Sequence, residues 1–303
     1  MTRSYGVDSA IAKVPPQFKN NIGLQFDRAK WRRKRGRYDS ALEIINTLPN
    51  NPAALVKPDL WFKEKFIIAR NKINSKRFKE AYELIINHGV TDSALLADAE
   101  WHAGWLALKF LNKPKEASQH FKIMYDGVNY PISKSRAAYW LGEASFKLGQ
   151  KQKANEWYRK AAKFNTTFYG QLAAAKIEKD NFRVKNNFTL NKGEFDKFLK
   201  KDLSKAVILL SELNLSQKSK GILRHLGSEE KTLEEQVYAG LLSQEIGRLD
   251  FAIQIAKQAS YQNINLLELN YPIIETPKKV SNKNILQQEV ILALIRQESE
   301  FDG

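Results

Sequence analysis

A six-residue motif that ends in alanine recurs along the chain and constrains its fold more than any other feature. The first four of these alanines are 40, 36 and 37 residues apart. This spacing is typical of one helix–turn–helix unit per repeat, as in tetratricopeptide-like solenoids, because a single helix pair cannot bury its apolar face alone. The five copies are Gly36–Ala41, Lys76–Ala81, Asn112–Ala117, Gly149–Ala154 and Gly247–Ala252.

The two ends of the motif have separate physical roles. Its first position is Gly in three copies and Asn in one, and these residues suit the left-handed conformation that closes a helix. Its last position, alanine, allows the second helix of a pair to approach its neighbour closely. The helices upstream of the motif carry tryptophans, and we interpret these as core residues, not as a sugar-stacking platform: Trp31, Trp61, Trp101, Trp105 and Trp140.

Helical patterning continues beyond the first four repeats. A polar stretch over about 181–192 is the best linker candidate, within which Phe188–Leu190 could be briefly extended. Pro272 and Pro277 exclude a helix between them. Further helices are predicted over Phe168–Ile177, Ser204–Leu213, Gln217–Leu226, Thr232–Ile246 and Asp250–Ser260.

The predicted fold class is therefore all-α, a tetratricopeptide-like superhelix of helix pairs that curves into an arc. We predict three segments along the chain. They are an N-terminal superhelical domain over 1–180, a helical linker domain over 181–270 and the start of a further domain over 271–303.

Composition limits the chemistry. The chain has no cysteine, which excludes disulfides and thiolate metal sites. His88, His102, His120 and His225 are scattered and lack metal-ligand spacing, and no glycine-rich phosphate loop is present. We therefore expect neither a metal nor a cofactor.

The chain is basic, with 49 Lys and Arg against 33 Asp and Glu and a net charge of +16. Such a charge favours polyanionic partners, although an abundance of Lys, Asn and Ile also fits a general compositional bias. The densest basic run, Lys30–Arg35, is interpreted as a solvated helix end, because cations suit the last helical turn. DNA or RNA binding would rest on charge alone, and we expect no nucleic-acid partner.

Neither a membrane span nor a signal peptide is visible. No stretch reaches the roughly 20 apolar residues that a span requires. The opening residues, Met1–Pro16, lack the apolar segment of a secretory signal. The visible start thus fits either a cytoplasmic protein or a longer precursor.

The last predicted helix begins near Ser281–Asn284, where Asn284 is the candidate cap with Gln287 three positions on. Glu298 falls at helical offsets from the apolar stripe of that helix, which consists of Ile291, Leu294 and Ile295. A carboxylic acid on a buried face is desolvated, which allows a general acid to hold its proton near neutral pH. The alternative is that the helix end has already reached solvent and Glu298 is simply exposed.

The residues around Glu298 carry a family resemblance. Ala293–Ser299, followed by Phe301, resembles the catalytic signature of the soluble lytic transglycosylases, whose catalytic domain is goose-lysozyme-like. Thr167–Ala173, which follows Arg136–Gly142, is similar to the helical region of that family, and Tyr271-Pro272 resembles the start of the catalytic domain. The three segments occur in the family's order.

The resemblance implies a specific activity. Members of the family cleave the β-1,4 bond between N-acetylmuramic acid and N-acetylglucosamine in periplasmic peptidoglycan without water, leaving a 1,6-anhydro end. Glu298 matches their single acid/base residue, and Ser299 is expected to support it by hydrogen bonding. Glu300 and Asp302 are then not a second catalytic carboxylate, since the substrate's acetamido group takes that role.

The resemblance also predicts what the chain lacks. The family continues past its glutamate with a further serine and a Gly-Leu-Met-Gln-type segment, whereas this sequence stops at Gly303. The sequence therefore predicts a chain truncated within a lysozyme-like domain and inactive or nearly so by itself. The alternative function is a non-catalytic tetratricopeptide-like scaffold that binds a protein or peptide.

Overall fold

The structure is a computed structural model that describes residues 6–49, 51–178, 184, 186–276, 279–280, 283–284 and 286–301. Within these residues the chain is α-helical apart from one pair of two-residue strands, so the all-α prediction is confirmed. The chain divides into two compact units, Met1–Phe182 and Arg183–Gly303, and residues 271–303 belong to the second.

The first unit is a series of helices in which each, from the helix that begins at Ile22 onward, packs against the next along the chain. Two single-turn 3-10 helices, Pro16–Phe18 and Pro52–Leu55, lie between them. The α-helices of this unit are α1 (Val7–Ala12), α2 (Ile22–Lys34), α3 (Tyr38–Ile45), α4 (Pro58–Asn74), α5 (Phe78–Ile85), α6 (Ser93–Lys109), α7 (Pro114–Gly127), α8 (Pro131–Lys147), α9 (Lys151–Ala162) and α10 (Phe168–Glu178).

The repeated motif forms the corner between the two helices of each pair. Its first residue is left-handed in every copy, including the one that carries a lysine, with φ between 51° and 76°. In four corners the second residue donates its N–H to the carbonyl five positions earlier at 2.7–3.0 Å, which closes the preceding helix. The left-handed first residues are Gly36, Lys76, Asn112, Gly149 and Gly247.

The last residue of the motif lies at the centre of each helix pair. All five motif alanines are at most 1% exposed, as close helix approach requires. The tryptophan prediction also agrees with the structure. Trp31, Trp61 and Trp140 are buried, while Trp101 and Trp105 are partly buried and stack on each other with ring centres 5.8 Å apart.

The second unit contains the remaining helices and the strand pair. One 3-10 helix, Ser216–Ser219, precedes α13, and β1 (Lys279–Val280) pairs antiparallel with β2 (Lys283–Asn284). The four helices predicted between Ser204 and Ser260 are present, with ends shifted by three residues or fewer. Its helices are α11 (Lys192–Leu199), α12 (Asp202–Glu212), α13 (Lys220–Leu226), α14 (Leu233–Glu245), α15 (Leu249–Tyr261), α16 (Leu267–Asn270) and α17 (Gln288–Glu298).

One local prediction in this unit is wrong. Helix α17 begins at Gln288, and its N-cap is Gln287 without a side-chain cap bond. Asn284 lies three residues before that cap, where its backbone pairs with Lys279 in the two-stranded sheet. Phe188–Leu190 belongs to neither a helix nor a strand.

Candidate functional site

Glu298 is the last residue of α17, and the face on which it lies is open to solvent. Helix α17 has no buried residue, and two of its apolar side chains, Val290 and Leu294, are 48% and 58% exposed. Ile291 and Ile295 are only half-buried. The prediction of a buried stripe is therefore wrong. The apolar residues do share one face, but the described residues cover it only in part.

No described residue holds the side chain of Glu298 in place. Its side chain is exposed and makes neither a hydrogen bond nor an ion pair to any residue that the structure describes. Ser299 follows as the C-cap, where its N–H donates to the carbonyl of Ile295 at 2.9 Å and its Oγ donates to the same carbonyl at 3.2 Å. Ser299 thus closes the helix and does not bond to Glu298.

Arg296 fixes the end of α17 to the preceding loop. Its Nε donates to the backbone carbonyl of Asn270 at 2.7 Å, and a terminal guanidinium nitrogen donates to the side-chain oxygen of the same residue. The guanidinium also lies over the ring of Tyr271, 4.8 Å from its centre. A guanidinium group that donates to two oxygens of one residue and also stacks on an aromatic ring is held in a defined orientation.

Two further contacts hold α17. Gln288, in its first turn, donates to the carbonyl of Ile274 at 2.8 Å. Beyond its last turn, Glu300 forms an ion pair with Lys257 of α15. The helix is thus attached near both ends by polar contacts while its apolar stripe is left open.

The sequence did not predict these anchoring contacts, although two of the residues lie in segments that carry the family resemblance. Arg296 lies inside the motif around Glu298, and Tyr271 lies in the loop that carries its own resemblance. Their contact joins two segments that the sequence treats separately. No periodicity could indicate it, because the two residues are on different elements.

The chemistry open to this site is that of a single carboxylate. Glu300 is engaged by Lys257, so it does not form a carboxylate pair with Glu298. A glutamate can hold a proton near neutral pH when apolar groups surround it. The described residues provide no such surroundings, and the apolar stripe beside Glu298 is where a covering surface would fit.

A contrasting carboxylate lies in the first unit. Glu100 of α6 is 6% exposed and accepts from His88 Nε2 at 3.0 Å and from His120 Nδ1 at 2.6 Å. His88 Nδ1 accepts the N–H of Val90, which fixes the proton of that ring on Nε2. His120 Nε2 in turn lies 3.0 Å from the hydroxyl of Tyr82.

This network has the properties of a packing element. Burial alone would raise the pKa of Glu100, but hydrogen bonds from His120 and His88 outweigh burial and the net pKa is lowered. Burial also raises the pKa of the Tyr82 hydroxyl, which opposes a nucleophilic role for it. The sequence shows only that the histidines are scattered, and it does not indicate that two of them share one carboxylate.

Across the described residues, no group of three or more histidine and acidic side chains is arranged to hold a metal ion. None of the described helices is long and apolar enough to cross a bilayer.

Comparison with known proteins gives no assignment. The chain matches no protein-family model, and no curated protein matches it at a significant level.

Proposed function

We propose that the chain is a member of the soluble lytic transglycosylases and that Glu298 is its acid/base residue. The observation that carries the proposal is the Arg296 contact with Asn270 and Tyr271. It joins the glutamate motif to the Tyr271-Pro272 segment, as expected if both belong to one folded site. The order of the three resembling segments is the second support.

The proposed reaction uses the carboxyl group of Glu298 twice. The protonated carboxyl donates to the glycosidic oxygen, and the bond to the muramoyl C1 breaks. The carboxylate then accepts the proton of the muramoyl C6 hydroxyl as that oxygen bonds to C1 and closes the 1,6-anhydro ring. Glu298 gives up one proton and takes one back, so it ends the reaction protonated as it began. The reaction therefore uses neither water nor a second protein carboxylate.

The exposed position of Glu298 limits what this chain is expected to do. An acid that gives and takes a proton needs water excluded and the substrate held. The described residues leave Glu298 in solvent, so we propose that residues 1–303 alone turn over peptidoglycan at or near background. Activity would require a surface that covers the apolar stripe of α17, on which Leu294 is 58% exposed.

The proposed partner is peptidoglycan, and the proposed compartment is the periplasm. Peptidoglycan stem peptides carry free carboxylates, to which a chain of net charge +16 is attracted. Such attraction acts mainly between exposed charges and is weakened by salt.

The second candidate function is a protein- or peptide-binding scaffold. The five left-handed corners with buried alanines favour it, because repeated helix pairs commonly provide extended binding surfaces. It differs from the first candidate in having no need of peptidoglycan or of Glu298.

Co-sedimentation with insoluble peptidoglycan separates the two candidates. We expect saturable retention of 1–303 that weakens with salt, and the Glu298→Gln variant should be retained equally because an exposed acid contributes little to binding. Chitin, which lacks the stem-peptide carboxylates, should retain much less protein. No retention on peptidoglycan, or equal retention on double-stranded DNA, would contradict the proposal.

A further inference from the structure

A cleft of about 280 Å³ lies in the first unit, where α3 and α5 both end. Lys65 of α4 lines it, together with Glu83 near the end of α5. Two amide side chains, Asn46 and Asn87, complete its polar lining. The remaining lining is apolar and comes mainly from Ile45, Leu48, Pro52, Leu55, Leu84 and Ile86.

Lys65 lies on a buried stripe of α4 and has no partner within the described part of the chain. It shares that stripe with Trp61, Ile68 and Lys72, which are each 2% exposed or less. Lys65 itself is half-buried, and among the described residues it has neither a hydrogen bond nor an ion pair. Burial lowers its pKa, as expected for an ammonium group without a counter-charge.

Lys72, one helical step of seven residues further on, provides the matched comparison. Its ammonium group is buried but donates to Asp39 at 2.6 Å, with Glu80 at 3.8 Å. The buried ammonium group of Lys72 is therefore compensated by carboxylates. Lys65 lacks one and instead borders an open cleft, so the counter-charge is expected from outside the chain.

The opposite side of the cleft favours a positive charge. Glu83 is exposed, and no ion pair or hydrogen bond engages it within the described part of the chain. The C-terminal ends of α3 and α5 also meet at the cleft, and helix C-termini favour cations. The lining thus presents one cation and one anion within a volume suited to a molecule of amino-acid or dipeptide size.

We propose that this cleft binds a small zwitterion, whose carboxylate pairs with Lys65 and whose ammonium group pairs with Glu83. Free amino acids and short peptides both carry this pair of charges. The inference does not rest on the proposed activity, because it uses no residue of the second unit.

Isothermal titration of the whole chain with dialanine tests the pairing of charges. We expect saturable binding with a Kd in the millimolar range or tighter, of the order that one or two ion pairs support. N-acetyl-dialanine keeps only the carboxylate and dialanine amide keeps only the ammonium group, so each should bind at least about tenfold more weakly. Equal binding of either analogue, or no saturable binding of dialanine, overturns the proposal.

Variants assign the charges to their residues. Lys65→Met should weaken dialanine binding by about tenfold or more, and Glu83→Gln should also weaken it. Lys63→Met, at an exposed lysine of the same helix, should leave binding unchanged. A folded Lys65→Met protein that binds dialanine as well as the parent contradicts the assignment, as does loss of binding in Lys63→Met.

Carbon NMR of the lysine Cε groups provides a readout that does not depend on variants. Dialanine should move the titration of Lys65 to higher pH, because a bound carboxylate favours the charged ammonium, and Lys63 should not move. An unmoved Lys65 titration at saturating dialanine rules out the contact. A parallel titration with glycine distinguishes the sources, since tighter binding of glycine indicates a free amino acid and tighter binding of dialanine a peptide end.

Discussion

Helices α6 and α17 each carry a glutamate on an apolar face, yet the two faces have opposite environments. Helix α6 packs against α5, α7 and α8 and buries eight of its residues, including Glu100. Helix α17 buries none, and Glu298 at its end is exposed. Helix α6 is also longer, with 17 residues against 11, and is apolar around more of its surface, so the difference comes from the helix itself as well as from its neighbours.

The comparison teaches what an amphipathic pattern can predict. Periodicity assigns residues to a common face, but burial depends on whether another element covers that face. Where cover is present, as at α6, the carboxylate is compensated by two histidines. Where it is absent, as at α17, the polar anchors of Arg296 and Glu300 hold the helix and the apolar stripe remains open.

Truncation of a core side chain should have the largest effect on stability. Phe121 is fully buried between α6 and α8, and Phe121→Ala should lower the free energy of unfolding of the first unit by about 3–5 kcal/mol. Leu294→Ala, on the open face of α17, should change it by less than about 0.5 kcal/mol. Urea unfolding followed by far-UV circular dichroism measures both. A large loss for Leu294→Ala would mean that its face is covered.

Replacing Glu100 should likewise destabilise the protein more than replacing Glu298. Glu100→Gln removes a charged acceptor from two buried histidines and should lower the free energy of unfolding by about 1–3 kcal/mol. Glu298→Gln should change it by less than about 0.5 kcal/mol. All six tryptophans lie in the first unit, so their fluorescence in urea reports the Glu100 effect specifically. Similar losses of unfolding free energy in the two variants would contradict the difference between the buried and the exposed glutamate.

Acid should reduce the contribution of Glu100 to the free energy of unfolding. Because its pKa is lowered on folding, the carboxylate contributes stability that is present above the unfolded value of about 4.3 and is lost as pH falls through the folded value. The difference in unfolding free energy between the parent and Glu100→Gln should therefore shrink below about pH 4. Tryptophan-monitored urea titrations across pH measure it, and a difference that grows in acid would show the opposite sign.

The smallest effect is expected at a corner. Lys76 closes α4 with φ 59°, a conformation that costs a non-glycine residue roughly 1–2 kcal/mol and that glycine occupies freely. After allowance for the greater backbone entropy of glycine, Lys76→Gly should raise the free energy of unfolding by about 0.5–1 kcal/mol. Gly149→Ala, at an equivalent corner, should lower it by about 1 kcal/mol. Loss of stability in Lys76→Gly would show that its side chain makes contacts worth more than the strain.

These elements also show how far the sequence predicts the structure. The corners follow from Gly and Asn at the first motif position, and the motif alanines follow from the need for close packing. Lys76 adopts the same conformation because the flanking helices impose it, which no residue preference indicates. Asn284 is a good helix cap by residue type, but its backbone pairs in a strand and α17 begins only at Gln288.

The sites were less predictable than the fold. Glu298 could be singled out from its motif, but its exposure depends on which surfaces meet α17. The contact between Arg296 and Tyr271 joins residues about 25 positions apart in sequence, on different elements. Lys65 borders an open cleft only because α3 and α5 end beside it. Helical periodicity does not predict where two helices end relative to each other in space.

The central proposal is that Glu298 acts as a catalytic acid/base when a surface covers its face of α17. The direct test joins to the end of the chain the segment that follows the catalytic glutamate in a characterised soluble lytic transglycosylase, and measures 1,6-anhydromuropeptides released from peptidoglycan by mass spectrometry. We expect release by the joined protein, a loss of at least about 100-fold with Glu298→Gln, and no change with Glu289→Gln, an exposed glutamate of the same helix. A joined protein that unfolds cooperatively and binds peptidoglycan, but releases no anhydro product or releases it equally with Glu298→Gln, would contradict the claim.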